Sequence, residues 1–257
     1  MGFPPVRVAR AVLPLSESRR HAGPTGGPGR IGGMATVSGE THGYPAKRQA
    51  IMDAAAEVFL HEGYTRTSVD AIAAAAGVSK QTIYNHFGDK ERLLLAITTA
   101  VQDAAVTQQE AVLAAARKRL LKADGPERLR EELIDLTTQW IRLVMSERLS
   151  ALRNLVYTEA LHQPRLAENW QRNGPRRIIP QLGALLAELG AAGILDIPPE
   201  VAAVPERLAH QLTGSASYEV QSSDMYVQHH AMLDGSAATR AAIGHGVDLF
   251  LRAYAPR

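Results

Sequence analysis

The stretch GVSKQTIYNHFGDKERLLLA, Gly77–Ala96, decides how the chain is read. Between Gly77 and Gly88 stand Lys80, Gln81, Thr82, Tyr84, Asn85 and His86, with only Val78 and Ile83 as aliphatic residues. A helix this short and polar buries little apolar surface, so its own packing does not explain why it is ordered. Its flanks are nevertheless well specified. Ser79 is placed to cap its start, and Gly88 and Asp89 to end it and open the next helix. Upstream, TSVDAIAAAAGV (67–78) puts Thr67 or Ser68 at a cap, with Asp70 three residues after Thr67 as a capping-box partner. Val69, Ile72 and Ala73 face inward, and the alanine run lets two helices approach closely. Two capped helices joined through a glycine turn make a helix-turn-helix, whose second helix lies in the major groove of DNA. The polar side chains then meet base edges or water, which explains a short helix with so little to bury.

The wider block AIMDAAAEVFLHEGYTRTSVDAIAAAAGVSKQTIYNHFGDKERLLLA (50–96) resembles the DNA-binding domain of the TetR family of transcriptional regulators. The likeness covers about 50 residues without a gap and includes several independent features. These are Phe59 of the first helix, the Gly63-Tyr64 turn, AAGVS, TIYNHF and KERLL. The family usually shows Gly or Pro around Gln81, so the glutamine is a departure from its pattern.

Roles follow from side-chain chemistry together with the family's pattern. Lys80, Gln81 and Thr82 start the reading helix: lysine suits guanine, glutamine adenine, and the threonine methyl a thymine methyl. Tyr84 offers a hydroxyl to phosphate or a ring to thymine, and Asn85 and His86 flank it as phosphate holders. Thr67, Ser68 and Lys90 are expected on the DNA backbone, with Arg66 a weaker candidate.

Around this block the expected fold class is all-α. Alanine and leucine dominate, and no segment alternates with period two. Residues 1–45, rich in Gly, Pro, Ser and Arg, are expected to be a disordered basic arm, either a floppy tail or a phosphate-touching extension. Met34 offers an alternative start within it. Residues 46–106 are expected to form the DNA-binding domain, with the first helix starting near Lys47 and the helix-turn-helix at about 69–88. Residues 107–257 are expected to form a larger helical domain, with late helices at Val201–Leu212 and Ala237–Tyr254 and an ambiguous segment between them.

The resemblance implies a homodimer built on those last two helices, reading a palindromic operator. Ile243, Val247, Phe250, Leu251 and Tyr254 form a broad apolar face expected at that interface. The segment LVYTEALHQPRLAENWQRNGPRRIIPQLGALLAELGAAGIL (155–195) resembles the AefR-like C-terminal domain type of the same family. It implies a pocket for an unidentified small-molecule effector, with Trp140, Val144, Met145, Tyr157, Trp170 and Ile178 as candidate lining residues.

Composition narrows the rest. The chain has 257 residues and no cysteine, which excludes disulfides and thiolate chemistry. Net charge is +2. Five arginines against two glutamates give residues 1–46 a balance of +3, which leaves −1 for the remainder, so any affinity for DNA must come from local placement. No apolar run approaches the ~20 residues of a membrane span, no signal-peptide core is visible, and Val6 stands where a myristoylation motif needs Ser or Thr. The expected location is the cytoplasm, at the nucleoid. His229 and His230, with Asp224 and Asp234 nearby, lack metal-site spacing, and no nucleophile elbow or P-loop is present. The expectation is therefore a regulator with no catalytic activity, metal or cofactor. A repressor is expected first, an activator of the same fold or a helical small-molecule carrier next.

Overall fold

Local hydrogen bonds written into the sequence set the helix boundaries. The computed structural model describes residues 43–222 and 237–256, and all regular structure among them is helical. Eleven helices are described: α1 (Gly43–Glu62), α2 (Val69–Ala76), α3 (Lys80–Phe87), α4 (Lys90–Leu120), α5 (Pro126–Val144), α6 (Glu147–Glu159), α7 (Pro164–Asn173), α8 (Pro175–Ala191), α9 (Pro199–Ala202), α10 (Pro205–Ser222) and α11 (Ala237–Tyr254). None of the described helices is long and apolar enough to cross a membrane.

Two apolar clusters hold these helices. The first gathers Ile51, Ala55 and Phe59 of α1, Ile72 of α2, Ile83 and Phe87 of α3 and Leu93, Leu94 and Ile97 of α4. It also recruits Leu152 and Val156 of α6 and Trp170 of α7. The second is built from the far half of α4 with α5, α8, α10 and α11, including Leu120, Leu133, Trp140, Ile178, Leu212 and Val247. α4 is 31 residues long, about 45 Å at 1.5 Å per residue, and runs through both clusters. Among the described helices it alone contributes residues to both clusters, while α6 and α7 also link them by packing against α5 and α8.

Several expectations shift in detail. α1 starts at Gly43 rather than near Lys47, because Pro45 sits in the first turn, where a missing N–H costs nothing. The helix expected at Val201–Leu212 is instead a short turn, α9, followed by α10 from Pro205 to Ser222. Burial of Ala216 and Val220 carries α10 through Gly214, Ser215 and Ser217, which have weak helix propensity. Close approach of α10 to α11 depends on Gly246, where a Cβ would lie 2.5 Å from the Ala216 Cα.

The face expected at a dimer interface is used inside the chain. Ile243, Val247, Phe250 and Tyr254 are all buried against the body, and the Tyr254 hydroxyl donates to Gln211 Oε1 at 2.7 Å. What α11 leaves outward is Ala241, His245 and Leu249, and α10 leaves Gln211, Gly214 and Tyr218. Residues 1–42 of the expected arm, the His229-His230 pair and its aspartates lie outside the described residues, whereas residues 43–45, also expected in the arm, form the first turn of α1.

Candidate nucleic-acid interface and the cavity behind it

α3 is held as a rigid rod by caps at both ends. Ser79 accepts from Thr82 N at 3.1 Å and Gly88, at φ 85°, donates to Tyr84 O. α2 is fixed the same way: Ser68 accepts from Ala71 N at 3.0 Å, and Gly77, at φ 64°, closes its end. Such a left-handed φ suits glycine because it has no Cβ to clash. Ile83 and Phe87 turn inward and are buried. Lys80, Gln81, Tyr84 and Asn85 turn outward, and no described part of the chain covers them. Tyr84, 39% exposed, is the largest apolar surface on that face.

The outward groups are pre-ordered. Gln81 Nε2 donates to Asn85 Oδ1 at 2.9 Å, one turn along the helix. Lys80 Nζ donates to Asp70 Oδ2 at 3.0 Å, and this hydrogen bond and charge hold the ammonium above its ordinary range. Asp70 therefore faces Lys80 rather than completing a capping box, since Ser68 and not Thr67 is the N-cap. With Asp70→Asn, Lys80 is released and a carboxylate is removed from beside the outward face of α3. DNA affinity is expected to rise about 3- to 10-fold at low salt, with a steeper salt dependence by about one counterion. Fluorescence anisotropy across a salt series checks both.

Four of the expected contact residues point elsewhere. Thr67 is 2% exposed, and its hydroxyl donates to Gly63 O at 2.8 Å, so its side chain fastens the α1–α2 turn and does not reach the surface. Lys90 Nζ donates to Tyr64 O and Thr67 O, both at 2.9 Å, and lies 4.4 Å from the Tyr64 ring centroid. Burial pushes this ammonium below the ordinary lysine range. The Thr82 hydroxyl lies 2.8 Å from that of Ser79 and belongs to the cap. The His86 ring packs against Tyr44 of α1 in a tilted arrangement, with centroids 4.3 Å apart, and its Nδ1 is buried without a hydrogen-bond partner among the described residues. Ser68 remains exposed at the α2 N-terminus, as does Arg66, whose Nε donates to Glu62 O. Tyr44 and Lys47 are exposed at the start of α1, and Tyr44 was hidden to sequence reading because it falls in the glycine- and proline-rich lead-in.

Lys90 thus ties the turn before α2 to the first residue of α4. Lys90→Met is expected to lower stability by about 1–3 kcal/mol, because two carbonyls lose their donor. The salt slope of DNA binding should stay unchanged. A slope reduced by about one, with stability intact, would instead make Lys90 a phosphate contact.

At the other end of the first apolar cluster, where it meets the second, lies a cavity of about 250 Å³. Trp140, Val144, Tyr157, Trp170 and Ile178 line it, as do Gln102, Gln109, Arg153, Thr213 and Ser217. Met145 does not: it ends α5, with its N–H donating to Ile141 O, and packs against the second cluster. Sequence reading missed the two glutamines. Thr98, Gln102, Val106, Gln109 and Leu113 share one buried stripe of α4 at steps of three and four, and that periodicity was the available signal.

A capped polar helix with a free outward face, set on a helical body with its own cavity, defines a helix-turn-helix DNA-binding regulator. Residues 51–97 match the model of bacterial regulatory proteins of the tetR family, and residues 131–256 that of the AefR-like transcriptional repressor C-terminal domain. The chain belongs to the TetR family of transcriptional regulators. It is 28% identical over 165 residues to the regulator BetI of Agrobacterium fabrum, covering 59% of this chain and 74% of that one. It is 43% identical over 58 residues to the repressor AcnR of Corynebacterium efficiens, 23% of this chain but only 30% of AcnR. A TetR-family regulator from Mesorhizobium loti superposes with a TM-score of 0.63 at 25% identity, covering 82% of this chain and 98% of that one. The flavonoid-responsive regulator FrrA superposes with a TM-score of 0.58 at 28% identity, covering 83% and 99%.

Proposed function

We propose that this regulator is a ligand-responsive repressor that binds a palindromic operator as a homodimer and catalyses no reaction. Residues 46–106 read the DNA, and residues 107–257 dimerise and, together with Gln102 of α4, hold the effector. The outward face of α3 carries the reading: Lys80, Gln81, Tyr84 and Asn85 are exposed on a rod capped at both ends and seated on a buried apolar base. Ser68 joins them on the backbone at the α2 N-terminus. Two such faces about 34–36 Å apart reach successive major grooves of one operator.

The response to ligand follows from α4, which begins beside α3 and passes the cavity before entering the second cluster. A ligand that fits only one tilt of α4 changes the spacing of the two reading helices. A coupling of about 1–3 kcal/mol is usual for such a linkage, and it is reciprocal. FrrA, similar over most of its length, is named for its response to flavonoids, which supports a small aromatic effector here.

The test is footprinting of the full chain on DNA flanking its own gene. A protected two-fold symmetric site, resistant to random competitor DNA, is the expected result, and repression of a reporter placed behind it follows. Equal competition by random DNA would overturn sequence-specific regulation. Raised reporter output would replace the repressor with an activator. Failure to shift any DNA would favour a helical carrier.

A further inference from the structure

The polar groups in the cavity wall are of restricted kinds. Among the described lining residues Arg153 alone carries a permanent charge, and none is Asp or Glu. Its guanidinium donates to Val144 O at 3.1 Å and Ser150 Oγ at 3.2 Å, and it meets no carboxylate among the described residues. At the buried end, Gln102 is 2% exposed and its Nε2 donates to Trp170 O at 2.7 Å. A carbonyl only accepts, so this bond fixes the orientation of the amide and leaves Oε1 as a buried acceptor with no donor. The close approach depends on Gly174, where a Cβ would lie 2.5 Å from that Nε2. Gln109, 4% exposed, makes no hydrogen bond to a described residue. Trp140 and Trp170, each 3% exposed, supply flat apolar walls.

We propose that the cavity takes a hydroxyaromatic acid of one or two rings. The hydroxyl donates to Gln102 Oε1, the ring lies against Trp140 and Trp170, and the carboxylate meets Arg153 at the mouth. Tyr157 marks that mouth: it is 49% exposed and stands one helical turn after Arg153 on the same face of α6. A volume of about 250 Å³, just below the ~300 Å³ at which pockets for drug-sized ligands begin, suits a ligand of one or two rings. A guanidinium with no acidic partner among the described residues repels cations and forms charge-assisted bonds with a carboxylate. A buried acceptor lacking a donor is costly, and a ligand hydroxyl removes that cost. Gln102 also holds α4 to the α7–α8 joint through Trp170 O, so the group that senses the hydroxyl positions the helix leading to the DNA-reading surface. This ligand class rests on the ligand-responsive reading proposed above.

The two tryptophans of the sequence both line the cavity, so intrinsic fluorescence reports its occupancy. Three compounds separate the poles: para-hydroxyphenylpropanoate, phenylpropanoate without the hydroxyl, and para-ethylphenol without the carboxylate. The first is expected to change the fluorescence saturably, and the other two to bind about tenfold more weakly each. Gln102→Leu should erase the advantage of the hydroxyl and keep that of the carboxylate, and Arg153→Met the reverse. Equal binding of all three by the unmodified chain, or saturation by none of them, overturns the proposal without reliance on any variant. The same titrations against the footprinted operator separate this proposal from the reading beneath it. Occupancy without release of DNA supports the ligand chemistry and overturns ligand-responsiveness. Occupancy and release by a fatty acid or a lipophilic cation, with no response to the three aromatics, overturns the ligand chemistry and leaves ligand-responsiveness standing.

Discussion

Leu249→Arg is expected to yield a folded chain that sediments as a monomer of 27.7 kDa and no longer holds its operator. Leu249 is 48% exposed on α11, in line with His245 and Ala241, one and two turns before it respectively. α10 leaves a matching narrow stripe of Gln211, Gly214 and Tyr218, the last 71% exposed. Gly214 has open space where a side chain would stand. Small residues between larger ones let helices of two subunits approach closely, and each apolar side chain buried there contributes about 1.5–3 kcal/mol. Two-fold symmetry places every substitution twice in one interface, so two guanidinium groups meet without acidic partners. Once the dimer is lost, the second half-site no longer binds at the high effective concentration set by the first. Operator affinity is then expected to fall by about 10³-fold, toward non-specific binding. Circular dichroism and the fluorescence of the two tryptophans should remain those of the unmodified chain, because Leu249 belongs to neither apolar cluster. A variant that stays dimeric, or a monomer that binds the operator undiminished, would remove α10 and α11 from the interface.

The substitution falls on Leu249 rather than on Phe250 or Val247 because of what the sequence left undecided. The periodicity of α11 shows a wide apolar face but not what covers it. A helix packed between α10 and α5 uses nearly all of that face within its own chain, and only the remainder is free for a partner. The length of α10 was hidden for a related reason. Gly214, Ser215 and Ser217 weaken the local preference for helix, and burial of Ala216 and Val220 overrides them, a tertiary effect that no short window displays. The caps were legible because they are local: Ser79, Asp89 and Gly77 each bond groups within a few residues, so identity and spacing suffice. Thr67 and Lys90 sit within the same legible block but turn inward. Their hydroxyl and ammonium find carbonyls of the 63–67 turn, and only the folded backbone shows that those acceptors lie within reach.

The cavity shows the same division. Trp140, Val144, Tyr157, Trp170 and Ile178 were visible as large residues on inward faces, but periodicity treats core and cavity alike. Gln102 and Gln109 resemble surface residues of a long polar helix until α7 and α8 close over them. Their polarity at buried positions, rather than their hydropathy, distinguishes a ligand site from packing.

Tyr84→Ala is expected to lower operator affinity by about 30- to 30,000-fold while leaving affinity for random DNA within about twofold. One well-placed contact to a base contributes about 1–3 kcal/mol. A symmetric dimer loses it twice, about 2–6 kcal/mol in all, which is the range stated. The ring is 39% exposed and packs in neither apolar cluster, so the fold should not register its loss. Gln81→Ala should act differently. Its amide is tied to Asn85 Oδ1, and a glutamine held straight presents its remaining acceptor and N–H together, the pair that fits adenine. Its removal is therefore expected to relax preference at one base pair of each half-site rather than weaken all sequences evenly. Because the amide of one residue orients the other, Gln81→Ala and Asn85→Ala should fall short of additivity in a double-mutant cycle. Selection of bound sequences from a randomised operator checks the base pair, and anisotropy checks the cycle. A uniform loss across sequences for both Tyr84→Ala and Gln81→Ala, with a reduced salt slope, would make the outward face of α3 a phosphate clamp and not the part that reads the operator.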